Sequence, residues 1–127
     1  MNTTPTTESR RILVADDEPT IALSLEFLMR RSGFETRVAR DGDEALATVG
    51  SFRPHLVLLD VMLPRRNGLE VCRTLRSTGS IDLKIVLLTA KGGQVDQERG
   101  LSMGADLYVV KPFSTQDLMG QVKRLLS

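Results

Sequence analysis

The segment that most constrains the fold is residues 55–64, HLVLLDVMLP, in which a run of apolar residues ends at Asp60. A run of Leu and Val without polar alternation predicts a strand that is buried on both faces of a parallel sheet. A carboxylate has no place inside such a strand, so we expect Asp60 where the strand emerges. In open α/β sheets this edge is where ligands bind. Pro64, Asn67 and Gly68 then predict a loop before the next helix.

Composition limits the classes of function. The 127 residues carry 17 basic and 16 acidic side chains, and this length suits one domain. The net charge of +1 gives no general indication of a surface for nucleic acid or membranes. Because no apolar run resembles a signal peptide or a transmembrane span, we expect a soluble, cytoplasmic protein. Residues 1–10 are polar and are predicted to form a disordered tail, followed by a single domain over residues 11–127.

Strands and helices are predicted to alternate five times. Besides the central strand, the predicted strands are residues 11–15, 36–39, 84–90 and 107–110. The segments between the strands carry apolar residues at helical spacing. This alternation predicts an α/β fold, in which a doubly wound five-stranded parallel sheet is covered by five helices.

Local signals mark the helix ends. Pro19 suits the first turn of the first helix and Gly33 its C-terminal stop, while Asp41 is a candidate cap of the second helix. Ser114 and Asp117 have the spacing of a capping box before the last helix. The ends of three helices are therefore predicted independently of the apolar pattern.

The fourth helix is poorly specified. Gly92 and Gly93 loosen its start, and only Val95, Leu101 and Met103 offer an apolar face. We expect this weakness to be functional.

The single cysteine and the single histidine are both predicted to be structural. Cys72 lies among apolar residues of the third helix and is expected in the core. His55 lies at the start of the central strand.

Polar side chains end four of the predicted strands: Asp16 and Asp17, Asp60, Thr89 and Lys111. Clustered carboxylates repel one another unless a cation lies among them, and oxygen ligands suit Mg²⁺. A carboxylate can also attack phosphorus while a metal ion and an ammonium group neutralise the phosphoryl oxygens. Each of these residues alone is more simply a cap, a turn former or a solvated side chain. Together they predict a metal site in which Asp60 is the nucleophile, Lys111 stabilises the transferring group and Thr89 donates to it.

These motifs, in this order, resemble the receiver domain of response regulators in two-component signalling. The matching segments are LVADDE (13–18), DVMLP (60–64), NG (67–68), LTA (88–90), GAD (104–106) and KPF (111–113). The resemblance covers residues 11–126 and implies a flavodoxin-like fold with strand order 2-1-3-4-5.

The resemblance also implies a role for each site residue. Asp60 would accept a phosphoryl group from a histidine kinase or a histidine phosphotransfer protein, and Lys111 would pair with that group. Asp17, Asp60 and the backbone carbonyl of Met62 would bind Mg²⁺ directly, and Asp16 would act largely through water. Such a domain is a signalling phosphoacceptor and not an enzyme, because it catalyses only its own phosphorylation and dephosphorylation.

The resemblance further implies a conformational switch. Thr89 would move toward the phosphoryl group and Tyr108 would turn into the vacated space. This changes the face made by the fourth helix, the fifth strand and the fifth helix, which a downstream partner or output domain would contact. In the family the Lys–Pro bond is cis, so the bond between Lys111 and Pro112 is a candidate.

Three alternatives remain. A phosphatase of the aspartyl-phosphate type would carry an Asp-x-Asp motif where this chain has adjacent Asp16 and Asp17. A flavodoxin-like phosphate-binding module would need hydroxyl or glycine residues at this point instead of acids. A pseudo-receiver that is never phosphorylated would lack the chemical residues that this chain retains. One departure from the family is Arg66, which stands where an apolar residue is usual and leaves the packing of its loop open.

The output face departs from the winged-helix branch of the family, whose receivers dimerise through charged pairs. At the matching positions this chain pairs Gln97 with Asp117, Ser102 with Lys123 and Leu107 with Gln121, so that no pair has both charges. We therefore expect a largely monomeric or weakly dimeric domain that contacts neither nucleic acid nor membrane directly. The same observation favours a single-domain regulator, or one with an unrelated output domain, over a winged-helix transcription factor.

Overall fold

A computed structural model describes residues 10–90 and 94–127, and only the backbone of residues 94–97. Its strands are β1 (Arg11–Ala15), β2 (Glu35–Ala39), β3 (Leu56–Asp60), β4 (Lys84–Thr89) and β5 (Leu107–Val110). Its helices are α1 (Pro19–Arg31), α2 (Gly42–Phe52), α3 (Gly68–Ser77), α4 (Gln94–Ser102) and α5 (Thr115–Leu126). Strands and helices alternate along the chain as the sequence predicts.

The five strands form one parallel sheet in the order β2-β1-β3-β4-β5. The predicted flavodoxin-like fold and its strand order are therefore confirmed. The central strand β3 pairs with β1 on one side and β4 on the other, and all five of its residues are buried. This position explains its uninterrupted apolar sequence, because both faces of a central parallel strand are covered by helices.

Alternate residues of each strand face two separate apolar cores. One core combines Leu13, Val57 and Leu87 with residues of α2 and α3, among them the buried Cys72. The other core places α1 and α5 against the opposite side of the sheet. Burial raises the pKa of the Cys72 thiol, which agrees with its predicted place in the core.

The predicted signals lie at the observed helix ends, and of the predicted capping box before α5 the described contacts contain the Ser114 half. Pro19 begins α1, and Gly33 follows its end with a φ of 97°, a left-handed conformation that glycine adopts without strain. The Asp41 side chain accepts a hydrogen bond from the Glu44 N–H at the start of α2, and the Ser114 hydroxyl accepts one from the Asp117 N–H before α5. Each cap satisfies a backbone donor that the helix itself leaves unpaired.

Four details differ from the sequence-based boundaries. Strand β2 begins at Glu35, and β4 ends at Thr89 because Ala90 lies outside the ladder. Gly68, predicted in the loop, is the first residue of α3, where Asn67 and Glu70 form a capping box. Leu101, predicted on the apolar face of α4, is 44% exposed. Helix α4 instead buries Gly100 against the sheet, where an added Cβ would lie 2.5 Å from the Leu87 side chain.

Three predictions extend beyond the described residues. Residues 1–9 of the expected tail lie outside them, as do Gly92, Gly93 and the side chain of Val95. The side chain of Gln97, predicted to face Asp117 on the output face, also lies outside them. Arg10, placed in the tail by the sequence, has a carbonyl that accepts a hydrogen bond from the Glu35 N–H at 3.1 Å. In the described part of the chain, no helix is long and apolar enough to cross a membrane.

Candidate functional site

Three carboxylates meet at the carboxyl edge of the sheet. Asp16 and Asp17 directly follow β1, and Asp60 is the last residue of the neighbouring β3. One oxygen from each side chain lies within 4.8 Å of the other two. Asp16 and Asp60 are buried, whereas Asp17 is exposed to solvent. The sequence-based expectation that these side chains would meet is confirmed.

Lys111 lies against two of these carboxylates. Its Nζ is 3.2 Å from Asp16 Oδ2 and 3.6 Å from Asp60 Oδ2. The Lys111 backbone is fixed by its N–H, which donates to the Thr89 carbonyl at 2.7 Å. The ammonium group thus reaches the cluster from the end of β5, the strand next to β4 in the sheet.

Backbone donors orient the two buried carboxylates. Asp16 Oδ1 accepts the Glu18 N–H at 3.0 Å, and Asp60 Oδ1 accepts the Met62 N–H at 3.2 Å. In each carboxylate the Oδ2 atom is the one that faces Lys111. Both side chains therefore have one oxygen held by the backbone and one directed at the shared cation.

The electrostatic balance at this edge is unfavourable to an ionised Asp60. Burial raises the pKa of Asp60, and the charges of Asp16 and Asp17 add to that rise. The Met62 N–H and the Lys111 ammonium act in the opposite direction and lower it. One ammonium group lies against two of the three clustered carboxylates, so the cluster keeps an excess of negative charge. Its oxygen donors suit a divalent cation that prefers oxygen ligands.

Thr89 and Tyr108 lie on the strands next to this cluster. Thr89 is the buried last residue of β4, one position beyond Leu88, which pairs with Asp60. Tyr108 is half-buried on β5, where it packs against the core formed with α2 and α3. The structure thus places Thr89 at the same edge as the carboxylates and Tyr108 farther back in the sheet.

The structure also contains contacts that the sequence analysis missed. The loop between β3 and α3 contacts the first turn of α2 through Gly42 and through an ion pair between Arg66 and Asp43.

The candidate cis bond between Lys111 and Pro112 is present as expected. The Asn67 and Glu70 pair was visible in the sequence as a capping-box spacing and is the signal that would have placed the start of α3 correctly.

A family model matches most of the chain. It is described as the response regulator receiver domain and matches residues 12–123. The chain belongs to this family. The flavodoxin-like fold and the acidic cluster at the carboxyl edge are thus those of a receiver domain of a two-component system.

Similar proteins agree with this assignment. A DNA-binding response regulator named MtrA, from Mycolicibacterium smegmatis, is 48% identical over 120 residues, which are 94% of this chain and 52% of that protein. The receiver domain therefore spans about half the length of this curated relative.

Solved structures give the same result. The receiver domain of the Francisella response regulator 1452 has a TM-score of 0.85 and 32% identity, over 92% of this chain and 96% of that one. A CheY-like receiver domain protein from Methanospirillum hungatei has a TM-score of 0.87 and 28% identity, over 93% and 94% of the two chains.

Proposed function

We propose that this receiver domain takes a phosphoryl group onto Asp60 from a histidine kinase or a histidine phosphotransfer protein, with Mg²⁺ as the cofactor. The observation that supports the proposal is the cluster of three carboxylate oxygens within 4.8 Å of one another. Asp16, Asp17, Asp60 and the Met62 carbonyl would hold the ion. Their oxygen donors fit the preference of Mg²⁺ for carboxylate, carbonyl and water ligands.

The proposed transfer uses groups already in place. An Asp60 carboxylate oxygen forms a bond to phosphorus, the bond between phosphorus and the donor breaks, and the donor keeps the electron pair. Lys111, 3.6 Å from Asp60 Oδ2, neutralises charge on the arriving phosphoryl oxygens. When bound, Mg²⁺ supplies further positive charge at the same oxygens.

The proposed switch extends from this site to the output face. The hydroxyl of Thr89 donates to a phosphoryl oxygen, and Tyr108 turns into the space that Thr89 leaves. The register supports this coupling, because Tyr108 pairs with Leu87, two residues before Thr89 on the neighbouring strand. Phosphorylation then favours one of two arrangements of the face formed by α4, β5 and α5.

Phosphorylation by a small donor tests the assignment of Asp60. Incubation with acetyl phosphate and Mg²⁺ should add one phosphoryl group to the wild-type chain and none to Asp60→Asn, as measured by intact-mass spectrometry. Asp82→Asn is the control, because Asp82 is exposed and lies outside the cluster. Phosphorylation of the Asp60→Asn variant, or uptake unchanged by a chelator, would contradict the proposal.

Phosphoryl uptake, together with an assay of phosphate-ester hydrolysis, distinguishes the proposal from two of the alternatives. A pseudo-receiver would take up no phosphoryl group under any of these conditions. A phosphatase of the aspartyl-phosphate type would continue to hydrolyse added phosphate esters, whereas a receiver domain releases phosphate only from its own Asp60.

The output of the domain is a separate proposal. The likeness to a DNA-binding response regulator, of which this chain spans about half, supports a longer protein in which the domain controls DNA binding. That likeness weighs against the preference for a single-domain regulator drawn from the unpaired charges on the output face. Analytical ultracentrifugation with Mg²⁺ and beryllofluoride, a mimic of the phosphoryl group, measures the oligomeric state of the domain. A tight dimer would contradict the expected monomer or weak dimer.

A further inference from the structure

The loop between β3 and α3, residues 61–67, shapes the carboxylate site from one side. The Met62 N–H binds Asp60 Oδ1 at 3.2 Å, so the backbone of this loop lies directly at the cluster. The Gly68 N–H closes the loop by donating to the Val61 carbonyl at 2.8 Å. An added Cβ on Gly68 would lie 2.4 Å from the Asp60 carbonyl oxygen, so the loop is packed against the backbone of Asp60 itself.

The other side of this loop rests on the first turn of α2. The N–H of Gly42 donates to the Pro64 carbonyl at 3.1 Å. Gly42 is buried, and an added Cβ would lie 2.1 Å from the Arg66 carbonyl oxygen and 2.5 Å from Arg66 Cβ. The nearest atom belongs to the backbone, so a side chain at Gly42 would have to displace the loop.

Two ion pairs flank this close approach. Arg66 Nε lies 2.7 Å from Asp43 Oδ1, and Arg65 Nε lies 3.6 Å from Asp41 Oδ2. Both arginines are largely exposed, and exposed pairs add little to stability. They lie on either side of Gly42 and join the loop to the start of α2 at two further points.

We propose that residues 41–43, which we call the α2 clamp, position the loop that carries Met62 and thereby set the affinity of the carboxylate site for Mg²⁺. The clamp residues touch neither the ion nor the phosphoryl group. They are positioning residues that act through the backbone of residues 61–67. This inference rests on the proposed function, because it assumes that the Met62 carbonyl is a ligand.

A matched pair of glycine substitutions tests the clamp. Gly42→Ala and Gly50→Ala both place alanine in α2, where it is a better helix former than glycine. An added Cβ at Gly50 has no neighbour within 4 Å, whereas at Gly42 it meets the loop. Titration of each full chain with MgCl₂ in a calorimeter should give about tenfold weaker binding for Gly42→Ala, as for other changes in groups that support metal ligands. Gly50→Ala should match the wild type.

The Asp43 and Arg66 pair provides a second test that leaves Gly42 in place. Asp43→Arg should weaken Mg²⁺ binding by about twofold to fivefold, the size expected for one exposed ion pair. The double variant Asp43→Arg with Arg66→Asp restores opposite charges and should recover the wild-type affinity. A purely structural role would not predict that recovery in metal affinity.

The outcomes separate this inference from the proposed function. Equal Mg²⁺ affinity for folded Gly42→Ala, Gly50→Ala and wild type would overturn the clamp alone, as would no recovery in the charge-swapped variant. If Gly42→Ala does not fold, the Asp43 and Arg66 variants decide. Wild-type protein that binds no Mg²⁺, or binds it unchanged after Asp17→Ala, would overturn the proposed metal site and the clamp together.

Discussion

The amino edge of the sheet, where the strands begin, differs from the carboxyl edge in how charged side chains are compensated. At the amino edge, Arg76 donates to the carbonyls of Gly104, Ser80 and Leu83 at 2.8, 2.5 and 2.7 Å and to Asp106 Oδ2 at 2.9 Å. The same Asp106 oxygen accepts the Ile85 N–H at 2.8 Å.

Arg11 and His55 play similar roles at the same edge. Arg11 Nε donates to the carbonyls of Phe52 and Arg53 at 2.9 and 3.0 Å. The Arg11 N–H donates to His55 Nδ1 at 3.0 Å. Charged and polar side chains at this edge therefore satisfy backbone groups that the ends of strands and helices leave unpaired.

At the carboxyl edge the charges oppose one another. Three carboxylates lie together, and one ammonium group contacts only two of them, Asp16 and Asp60. Burial and the acidic neighbours raise the pKa of Asp60. The two edges of one sheet therefore differ: charged side chains at the amino edge bind backbone groups and one another, whereas those at the carboxyl edge form a cluster with excess negative charge. Substitutions at the two edges should therefore change the free energy of unfolding in opposite directions.

The largest expected effect is at the amino edge. Arg76→Ala leaves three carbonyls and the Asp106 carboxylate without their shared donor, so we expect the free energy of unfolding to fall by about 2 to 4 kcal/mol. Urea denaturation monitored by circular dichroism measures the change.

Arg73→Ala is the matched control, because Arg73 is exposed on the same helix α3. This variant should stay within about 0.5 kcal/mol of the wild type. Equal stability of both variants would show that the amino edge does not depend on the Arg76 contacts.

Much of this arrangement was predictable from local sequence. The apolar run of β3 fixes a central buried strand, and polar residues at four strand ends predict a cluster, because the carboxyl ends of parallel strands share one edge. Strand order is not encoded in periodicity and came from the family resemblance. The positions of Asp16, Asp17 and Asp60 follow from these two sources together.

Other contacts could not be predicted because they join residues far apart in the chain. Arg76 binds groups that lie 28 and 30 residues later, and nothing in its helix indicates them. The contact of Gly42 with Arg66 likewise depends on the path of a loop. Helix α4 buries the small Gly100 instead of Leu101, which an apolar-face analysis cannot detect.

The second prediction compares the same substitution at the two edges. Asp60→Asn removes a buried charge that its neighbours disfavour, so it should raise the metal-free free energy of unfolding by about 1 kcal/mol. Asp106→Asn weakens a partly buried ion pair with Arg76 and should lower it by roughly 1 to 3 kcal/mol. Urea denaturation in a chelating buffer gives both values.

With Mg²⁺ bound, the wild type should become more stable than Asp60→Asn. A ligand that binds only the folded state stabilises it, by about 1.4 kcal/mol at tenfold excess over its dissociation constant. The wild type and Asp106→Asn should gain this stability, and Asp60→Asn should lose most of it. Asp60→Asn that is less stable than the wild type without metal would show that the carboxyl edge carries no stored repulsion.

The smallest effect concerns His55, at the opposite end of the strand that ends in Asp60. Burial and the charges of Arg11 and Arg10 lower the pKa of His55 below its ordinary value of 6.5. As the pH falls through 6.5, the unfolded chain therefore takes up a proton before the folded chain does, and stability decreases. Protonation of His55 Nδ1 would break its hydrogen bond with the Arg11 N–H. We therefore expect the free energy of unfolding to fall by about 1 kcal/mol.

The measurement compares wild type with His55→Asn, which keeps an acceptor for the Arg11 N–H but cannot titrate. Urea denaturation at pH 7.5, 6.5 and 5.5 should show the wild type losing stability relative to the variant as the pH falls. Asp60, whose pKa is raised, contributes in the opposite direction, since a group that is protonated more readily in the folded state stabilises it on acidification. That contribution is common to both proteins and cancels in their difference, so parallel pH profiles would mean that His55 is protonated equally in the folded and unfolded states.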